Sequence, residues 1–358
     1  MTVLVINCGS SSLKWSVVDP AAGTTLAGGT VQRVTDHGAA LASVLAEAPL
    51  DGLAAVAHRV VHGGERFETP VLINDSVLAA IRELSVLAPL HNPVNADGID
   101  VARRELPDLP HVAVFDTAFH ASLPAHAYTY AVPRAWNVRR YGFHGTSHAY
   151  VSREAARLLG RDVEGFDVIV LHLGNGASAT AVSSGRSIDT SMGLTPLEGL
   201  VMGTRSGDVD PALVLHLRRT LRLSTDEIDT VLNSHSGLLA LAGDNDMREV
   251  HRRIAAGDRA AQLALDVYCY RIKKYVGAYL AALGGADAIA FTAGVGENDA
   301  VVRARALAGL ERLGIEVDAA RNAAGGPVIS PDGAPVAVLV VATDEELEMA
   351  VQAAALVR

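Results

Sequence analysis

Residues 3–18 read V-L-V-I-N-C-G-S-S-S-L-K-W-S-V-V: an apolar run, a turn of small polar residues, and a second run that returns to valine. Residues 168–183, V-I-V-L-H-L-G-N-G-A-S-A-T-A-V-S, follow the same order. Each stretch predicts two strands joined by a short Gly/Ser turn. Two such halves would suit a protein that grips phosphates between two domains, although Gly/Ser turns also join many strands that bind nothing.

Apolar runs and helical patterns alternate along the rest of the chain. Strands are predicted at residues 3–6, 14–18, 112–115, 167–173, 288–292 and 336–342, mostly as continuous apolar runs typical of strands covered on both faces. Helices are predicted at residues 75–87, 95–106, 147–159, 211–221, 259–283, 299–313 and 345–356. This order indicates the α/β class, and 358 residues suggest roughly two domains, with a boundary near residues 116–120.

The composition limits the kinds of protein that this can be. A hydrophobic fraction of 49% and a charged fraction of 20% indicate a globular chain rather than a disordered one. The net charge of −10 argues against a nucleic-acid groove, because binding to phosphates requires a basic surface. The most apolar stretch, residues 336–342, is far too short to span a bilayer, so we expect no membrane helix.

The N-terminus and the two cysteines bear on the cellular compartment. The apolar run before Cys8 lacks the basic region and the small residue of a lipoprotein signal, so we interpret it as a strand and expect a cytoplasmic protein. Cys8 and Cys269 lie far apart without metal-ligand spacing, which argues against a disulfide framework or a zinc site.

The first turn, N-C-G-S-S-S-L-K, carries the groups that a phosphate site needs. It is not a Walker loop, because the G-x-x-x-x-G-K-[ST] pattern is absent and a strand follows Lys14. Gly9 permits a close approach to the backbone, the serines and Lys14 offer donors and charge, and Asn7 could face a metal or its water shell. Alone, the turn is better interpreted as an ordinary hairpin.

Four further motifs in the first half offer isolated polar groups. H-R-V-V-H-G-G holds Arg59 before a Gly-Gly turn, and L-A-P-L-H-N-P places His91 between prolines. V-F-D-T-A-F-H ends an apolar strand at Asp116, and Y-G-F-H-G-T-S-H places His144 at the predicted start of a helix, which favours anions. Each has a plain structural alternative, such as a solvated arginine or an aspartate that caps a helix.

Glycine-rich turns recur in the second half. H-L-G-N-G-A-S forms the second hairpin turn, G-T-R-S-G-D-V-D-P surrounds Arg205 with glycines, F-T-A-G-V-G-E-N follows a strand, and T-D-E-E presents acids at a helix start. Any one of these motifs could have a purely structural role. Together, the turns, two isolated arginines, two histidines and a carboxylate suited to a metal favour a phosphoryl-transfer site.

The same motifs closely resemble those of the acetokinase family. The match runs from V-L-V-I-N-C-G-S-S-S-L-K to A-T-D-E-E-L-E-M-A, nearly the whole chain, and G-F-H-G-T-S-H and G-T-R-S-G-D-V-D-P are long and specific. The resemblance implies a two-domain actin-like (ribonuclease H-like) fold with a nucleotide cleft between duplicated domains. It places residues 1–117 and 346–358 in an N-terminal domain, and residues 118–345 in a C-terminal domain for nucleotide binding and dimerisation.

The implied activity is acetate kinase: reversible, Mg²⁺-dependent transfer of the ATP γ-phosphoryl group to acetate, giving acetyl phosphate and ADP. Mn²⁺ is the alternative ion. The implied partners are acetate, ATP and a second copy of the chain in a homodimer, with neither nucleic acid nor membrane.

The resemblance also assigns roles to individual residues. Asn7 and Glu345 would lie at the magnesium, and Ser10, Ser12 and Lys14 on the phosphate side. The catalytic residues would be Arg59, Asp116, His144 and Arg205. The substrate site would comprise Arg59, Val61, Leu90, His91, Phe143 and Pro196. The nucleotide site would comprise His172, Leu173, Gly174, Asn175, Gly176, Asp246, Met247, Arg248, Gly294, Val295, Gly296, Glu297 and Asn298.

The sequence departs from the family pattern in two places, and two alternative functions remain. Cys8 stands where the family usually has alanine, and the region between Gly28 and His58 is shorter than usual; Asn175 matches the members that use ATP rather than pyrophosphate. One alternative is a kinase of propionate or another short-chain acid, since a small apolar pocket discriminates by only about 1–3 kcal/mol per methylene. The other is a non-catalytic actin-like ATP-binding regulator, which the joint presence of Arg59, His144 and Arg205 disfavours.

Overall fold

The computed structural model describes residues 1–9, 12–32, 34, 37–47 and 52–358. They form two compact units. The first unit comprises Met1–Ala121, Phe143–Tyr150 and Asp344–Arg358, and the second comprises Ser122–Gly142 and Val151–Thr343. Segment Phe143–Tyr150 therefore lies in the first unit, whereas the sequence analysis assigned it to the C-terminal domain. The predicted division of functions between the domains stays a prediction.

The first unit is built on a six-stranded sheet with the order β3-β2-β1-β4-β6-β5. Its strands are β1 (Thr2–Cys8), β2 (Ser12–Asp19), β3 (Thr24–Gln32), β4 (Leu53–Val60), β5 (Val71–Leu72) and β6 (His111–Phe115). The first hairpin forms as predicted, with β1 antiparallel to β2, and β1, β4 and β6 run parallel. The parallel strands end at the same edge, which brings the residues that follow them together.

Helices cover both faces of this sheet. They are α1 (His37–Glu47), α2 (Asp75–Glu83), α3 (Asn92–Glu105) and α14 (Glu345–Leu356). The first residues of α5 (Gly145–Leu158) also belong to this unit. Leu4 and Ile6 of β1 pack on the side of α1 and α3, whereas Val3 and Val5 pack against Met349 and its neighbours in α14. Burial on both sides explains why β1 is apolar at nearly every position.

The second unit is built on a five-stranded sheet with the order β11-β10-β7-β8-β9. Its strands are β7 (Asp167–Leu173), β8 (Ala177–Ser183), β9 (Arg186–Thr190), β10 (Ala288–Thr292) and β11 (Ala337–Val340). The second predicted hairpin also forms, since β7 and β8 pair antiparallel from Asp167 with Ser183 to Leu173 with Ala177. Its remaining helices are α4 (Ala125–Tyr128), α6 (Ala212–Thr220), α7 (Thr225–Ser234), α8 (Gly237–Ala242), α9 (Met247–Ala255), α10 (Arg259–Leu283), α11 (Ala293–Asn298), α12 (Ala300–Leu307) and α13 (Ala319–Ala324).

The predicted elements differ from the structure mainly at their ends. The helix expected over 75–87 ends at Glu83 and continues as a short 3₁₀ turn, and the one expected over 299–313 ends at Leu307. Strand β3 was not predicted; it is largely exposed and contains a Gly-Gly pair instead of an apolar run. The prediction also lacked strands β4, β5 and β9 and helices α1, α4, α7, α8, α9, α11 and α13. None of the described helices is both long and apolar enough to cross a membrane.

Candidate active site

Asn7 and Lys14 face each other across the first hairpin. They are paired in the register of β1 and β2, and the Gly9 amide donates to the Ser12 carbonyl at 2.8 Å to close the turn. Lys14 is half exposed, with its Nζ 2.5 Å from Glu346 Oε1. Ser12 begins β2, and Ser10 lies outside the described residues. The hairpin thus presents an amide and an ammonium at one end of the sheet.

Arg59 and Asp116 form a two-pronged ion pair at the ends of β4 and β6. Arg59 Nε donates to Asp116 Oδ1 at 2.8 Å and Nη2 donates to Oδ2 at 2.6 Å. The carboxylate is almost fully buried, whereas 23% of the Arg59 side chain remains exposed. Burial acts to lower the pKa of Arg59, but the charges of Asp116, Glu345 and Glu346 outweigh it and raise that pKa. Arg59 is therefore a permanent, rigidly oriented cation.

The guanidinium of Arg59 keeps donors for a further ligand. Its Nη1 also donates to Asn7 Oδ1 at 3.3 Å, so three of its five N–H groups have acceptors among the described residues. The other two, one on each terminal nitrogen, match the two oxygens of a carboxylate. The pair with Asp116 holds the guanidinium in one orientation before any ligand arrives.

His144 stands at a strained turn that begins α5. Its φ is 59°, a left-handed conformation that costs a residue other than glycine of order 1 kcal/mol. The next residue, Gly145, donates its amide to the Asp116 carbonyl at 2.9 Å, and a Cβ there would overlap that same oxygen. The turn therefore fixes His144 relative to the Arg59–Asp116 pair, and only glycine fits at position 145.

Glu345 begins α14 in the first unit, as the sequence predicted for T-D-E-E. Its Oε2 accepts a hydrogen bond from Thr146 Oγ1 at 3.1 Å, and Asp344 caps the helix by accepting from the Leu347 amide. Asn7 reaches Arg59 by a hydrogen bond and Glu345 acts on it through charge, so both oxygen donors belong to the same cluster.

This donor set fits magnesium. Mg²⁺ prefers oxygen ligands and is commonly held by one or two carboxylates together with substrate phosphates and water. Within the ranges that the structure covers, no group of three His, Cys, Asp or Glu side chains could hold a metal by itself. Asn7 and Glu345 would therefore supply protein oxygens to an ion whose other ligands come from a bound phosphate.

The residues predicted for the acyl end differ in exposure. Val61 and Phe143 are buried in the first unit, whereas Leu90 is 69% exposed and His91 stands at the N-terminus of α3. Pro196 belongs to the second unit. The structure thus brings Arg59, Val61, His91 and Phe143 into one unit, with Leu90 at its surface.

Two asparagines that the sequence analysis missed support the strand end beside Arg59. Asn92 clamps His62, accepting from its amide at 3.1 Å and donating to its carbonyl at 3.0 Å. Asn95 accepts from the Val61 amide and donates to the Cys8 carbonyl at 2.8 Å. Both are buried on the first turn of α3, and their spacing of three residues in H-N-P-V-N was the available signal.

A cavity of about 740 Å³ lies in the second unit. Eight residues predicted for the nucleotide line it: Gly174, Asn175, Asp246, Met247, Arg248, Gly294, Val295 and Asn298. Its size is that of a typical small-molecule site. The sequence analysis missed the other lining residues, which are Gly203, Leu238, Asn245, His251, Tyr268, Asp299, Ala300 and Val301. They include a pair, His251 Nε2 with Asp299 Oδ2 at 2.7 Å, whose 48-residue separation leaves no local pattern.

The other residues predicted for the nucleotide lie on the neighbouring segments of the second unit. His172 and Leu173 are buried at the end of β7, and Gly176 accepts from the Gly174 amide at 3.0 Å. Gly296 is buried in α11, and Glu297 Oε1 accepts from the amides of Ala293 and Thr343 at 2.8 and 3.1 Å. None of these five residues lines the cavity.

Arg205 lies on a long irregular loop of the second unit. Its Nη1 donates to the Pro196 carbonyl at 3.2 Å and lies 3.8 Å from the Met202 sulfur, and burial lowers its pKa. Among the described residues no carboxylate pairs with it. A partly buried cation without a counter-ion is suited to an anionic ligand.

Four side chains that the sequence analysis did not single out hold this loop. Arg140 donates to Glu198 Oε1 at 2.5 Å and to the carbonyls of residues 190–192, and Tyr130 donates to Glu198 Oε2 at 2.6 Å. Arg271 donates to the carbonyls of Gly199 and residue 208. These side chains add to the backbone hydrogen bonds of the loop, such as those from the Gly203 amide to Asn175 and from the Asp208 amide to Gly199.

Comparisons with known proteins give the family. The family model described as the Acetokinase family matches residues 40–351. The acetate kinase of Streptomyces coelicolor is 56% identical over 393 aligned positions, which cover 99% of this chain and 97% of that protein. The crystal structure of Porphyromonas gingivalis acetate kinase has a TM-score of 0.94 and 40% identity, with both chains covered completely. A propionate kinase structure from Francisella tularensis has a TM-score of 0.93 and 41% identity over 99% of both chains.

These matches confirm the predicted fold class, a two-domain α/β fold of the actin-like superfamily. The alignment with the Streptomyces relative is longer than this chain, so that relative carries residues which this chain lacks. By the extent of both the family-model match and the full-length identity, the chain belongs to the acetokinase family.

Proposed function

We propose that this chain is an acetate kinase, which reversibly transfers the γ-phosphoryl group of ATP to acetate and forms acetyl phosphate and ADP. The observation that carries the proposal is the state of Arg59: a permanent cation, fixed by Asp116, with two N–H donors left for a carboxylate. The relatives at 55–56% identity over nearly the full chain are named acetate kinases, which supports the same substrate.

The chemistry needs orientation more than it needs a base. Acetate is already a carboxylate nucleophile, so the protein has to hold it and neutralise the charge that spreads over the transferring phosphoryl group. Arg59 orients the acetate, and Asp116 orients Arg59. Asp116 thereby has a defined role without accepting a proton from the substrate.

Positive charge for the phosphoryl group comes from Arg205, and the resemblance assigns His144 to stabilise the same group. Arg205, in the second unit, has no carboxylate partner among the described residues, and His144, in the first unit, is held at a strained turn. When bound, Mg²⁺ held by Asn7 and Glu345 would neutralise charge on the phosphate oxygens. Lys14, Ser12 and Ser10 are assigned to the phosphate side by the resemblance.

The nucleotide binds in the cavity of the second unit. Gly174, Gly203 and Gly294 let the backbone approach a ligand closely, and a Cβ at Gly203 would overlap the Asn175 side chain. Asn245 Nδ2 donates to Asn175 Oδ1 at 3.0 Å, and this hydrogen bond fixes the turn between β7 and β8.

A second candidate is a propionate kinase, because the propionate kinase structure is as similar to this chain as the acetate kinase structure is. The two functions differ by one methylene, which an apolar pocket discriminates by about 1–3 kcal/mol. Comparing kcat/KM for acetate and propionate decides between them.

The direct test traps the product. With ATP, Mg²⁺ and acetate, the purified protein should form an acyl phosphate that hydroxylamine converts to a hydroxamate, and omission of Mg²⁺ should abolish the signal. Absence of hydroxamate with acetate, propionate and butyrate alike would refute the kinase proposal.

The remaining parts of the proposal rest on the family resemblance. The enzyme acts in the cytoplasm as a homodimer, and Mn²⁺ can replace Mg²⁺. Residues 1–117 and 346–358 form its N-terminal acetokinase domain, to which the C-terminal helix returns, and residues 118–345 form the C-terminal domain for nucleotide binding and dimerisation.

A further inference from the structure

The hydroxyl of Thr146 makes a contact that its place in the helix does not require. Thr146 is the second residue of α5 and is 2% exposed. A threonine within a helix commonly donates to a carbonyl of the preceding turn. Here Oγ1 donates instead to Oε2 of Glu345, a residue 199 positions away, at 3.1 Å.

This hydrogen bond restricts how the Glu345 carboxylate is oriented. Glu345 is the first residue of α14, where a long side chain has several rotamers, and a donor on one oxygen selects among them. Carboxylates that bind metals are usually oriented in this way by hydrogen-bonding neighbours. The other oxygen, Oε1, remains available to a ligand.

Thr146 also belongs to the turn that fixes the rest of the cluster. His144 has a φ of 59°, and the Gly145 amide donates to the Asp116 carbonyl at 2.9 Å. Three consecutive residues thus connect a strained histidine, the carboxylate partner of Arg59 and Glu345. The burial of Thr146 protects its hydrogen bond from competition with water.

We propose that Thr146 is a positioning residue for the metal site: its hydroxyl orients Glu345 so that the free carboxylate oxygen meets the Mg²⁺ of the metal–nucleotide complex. This inference rests on the proposed function, which supplies the magnesium role of Glu345. Thr146 acts through Glu345 and itself contacts neither metal nor substrate.

The test measures metal binding without turnover. Mn²⁺ is titrated into the full-length protein in the presence of ADP, and free Mn²⁺ is followed by electron paramagnetic resonance. Thr146→Val, which keeps the shape and removes the hydroxyl, should weaken Mn²⁺ binding roughly tenfold, the lower end of the usual effect of such neighbours. Thr146→Ser should restore binding close to that of the wild type, and metal-free ADP binding should be unchanged in both variants.

A double-mutant cycle separates this role from a structural one. In a Glu345→Gln background, Thr146→Val should add little further loss, because the carboxylate that it orients is gone. The control is Thr180→Val in the second unit, which also removes a buried hydroxyl bond, to Thr190 at 2.9 Å, and should leave Mn²⁺ affinity unchanged.

Three results would overturn the inference: wild-type Mn²⁺ affinity in Thr146→Val, failure of Thr146→Ser to restore binding, or an equal loss in Thr180→Val. If Thr146→Val does not fold, Thr146→Ala takes its place in the same comparison. Because the titration needs no turnover, a protein that forms no acyl phosphate would refute the proposed function while this result still stands on its own.

Discussion

Arg205 is the residue whose removal we expect to slow catalysis most directly. Its guanidinium is partly buried, its pKa is lowered by burial, and its partners among the described residues are the Pro196 carbonyl and the Met202 sulfur. We expect Arg205→Ala to lower kcat by on the order of 10³, because one arginine aimed at a transferring phosphoryl group is worth that much or more. The change in nucleotide KM should be modest, and steady-state kinetics separates the two constants.

The matched control for Arg205 is an arginine outside the site. Arg312→Ala, at an exposed position in the short 3₁₀ turn Glu311–Leu313 of the second unit, removes the same charge and should leave kcat unchanged. Equal kcat in Arg205→Ala and the wild type would remove Arg205 from the mechanism.

The contact between Cys8 and Gly98 shows how the fold accommodates the cysteine at a position where the resemblance leads us to expect alanine. A Cβ at Gly98, in α3, would lie 2.6 Å from the Cys8 sulfur, so the larger residue in β1 is accommodated by a glycine in the helix. Gly98→Ala should lower the urea midpoint of unfolding despite the higher helix propensity of alanine. In a Cys8→Ala background the same substitution should be tolerated.

Gly277→Ala provides the control for this pair. Gly277 lies inside α10 and a Cβ there meets nothing within 4 Å, so alanine should stabilise by about 0.5–1 kcal/mol. A Gly98→Ala effect that is the same with Cys8 and with Ala at position 8 would show that the sulfur is not the obstacle.

At the scale of elements, the adjacent strands β4 and β6 share a buried histidine pair. His58 Nε2 and His111 Nδ1 are 2.9 Å apart, and His111 Nε2 is 3.1 Å from the Leu106 carbonyl. Burial lowers the pKa of both, with the neighbouring His111 lowering that of His58 further and the Arg103 charge that of His111. Both rings are therefore neutral in the folded protein at neutral pH.

The pair makes the protein sensitive to acid. Unfolded histidines titrate near pH 6.5, above the folded values, so below about pH 6.5 the unfolded chain binds more protons and the folded state loses stability as the pH falls. We expect the urea midpoint to drop between pH 7.5 and pH 5.5, and to drop less in a His58→Gln/His111→Gln variant. An equal drop in both proteins would assign the effect to other histidines.

The elements that the sequence predicted well are those with a continuous local signal. β7, β10, α10 and α14 have the predicted bounds because apolar runs or helical periodicity extend over their full length. β3 was missed because its exposed Thr- and Gly-rich sequence has no such run, and the loop that carries Arg205 is held by side chains from elsewhere. A local sequence pattern therefore predicts neither the strand β3 nor the conformation of this loop.

At the scale of the whole molecule, the two glycine-rich hairpins and the motifs were enough to predict the fold class and the family. The contacts between side chains of the site could not be predicted from these motifs. Arg59 pairs with a residue 57 positions away, and Thr146 with one 199 positions away. Such partners come together only after the strands and helices have packed. The sequence therefore predicts which residue types belong to the site, but only the folded structure shows which of them pair.

Assembly is also a property of the whole molecule, and the proposed homodimer can be measured directly. Helix α6 has no buried residue, and Leu215 and Leu221 are 52% and 63% exposed, so this helix offers a surface on which the interface can be tested. Sedimentation velocity should give twice the chain mass of 37.3 kDa. Leu215→Glu should shift the protein toward the monomer if this surface is the interface, and a wild-type monomer at all concentrations would exclude the dimer.

The two cysteines have a practical consequence for studying this protein in solution. Cys8 and Cys269 are both buried, and burial raises the pKa of each thiol to about 12, so neither forms an appreciable thiolate at neutral pH. Maleimide probes should therefore leave the native chain unlabelled. A cysteine introduced on the surface of either unit could then carry a fluorophore selectively, with no need to remove the native thiols and disturb the contact between Cys8 and Gly98.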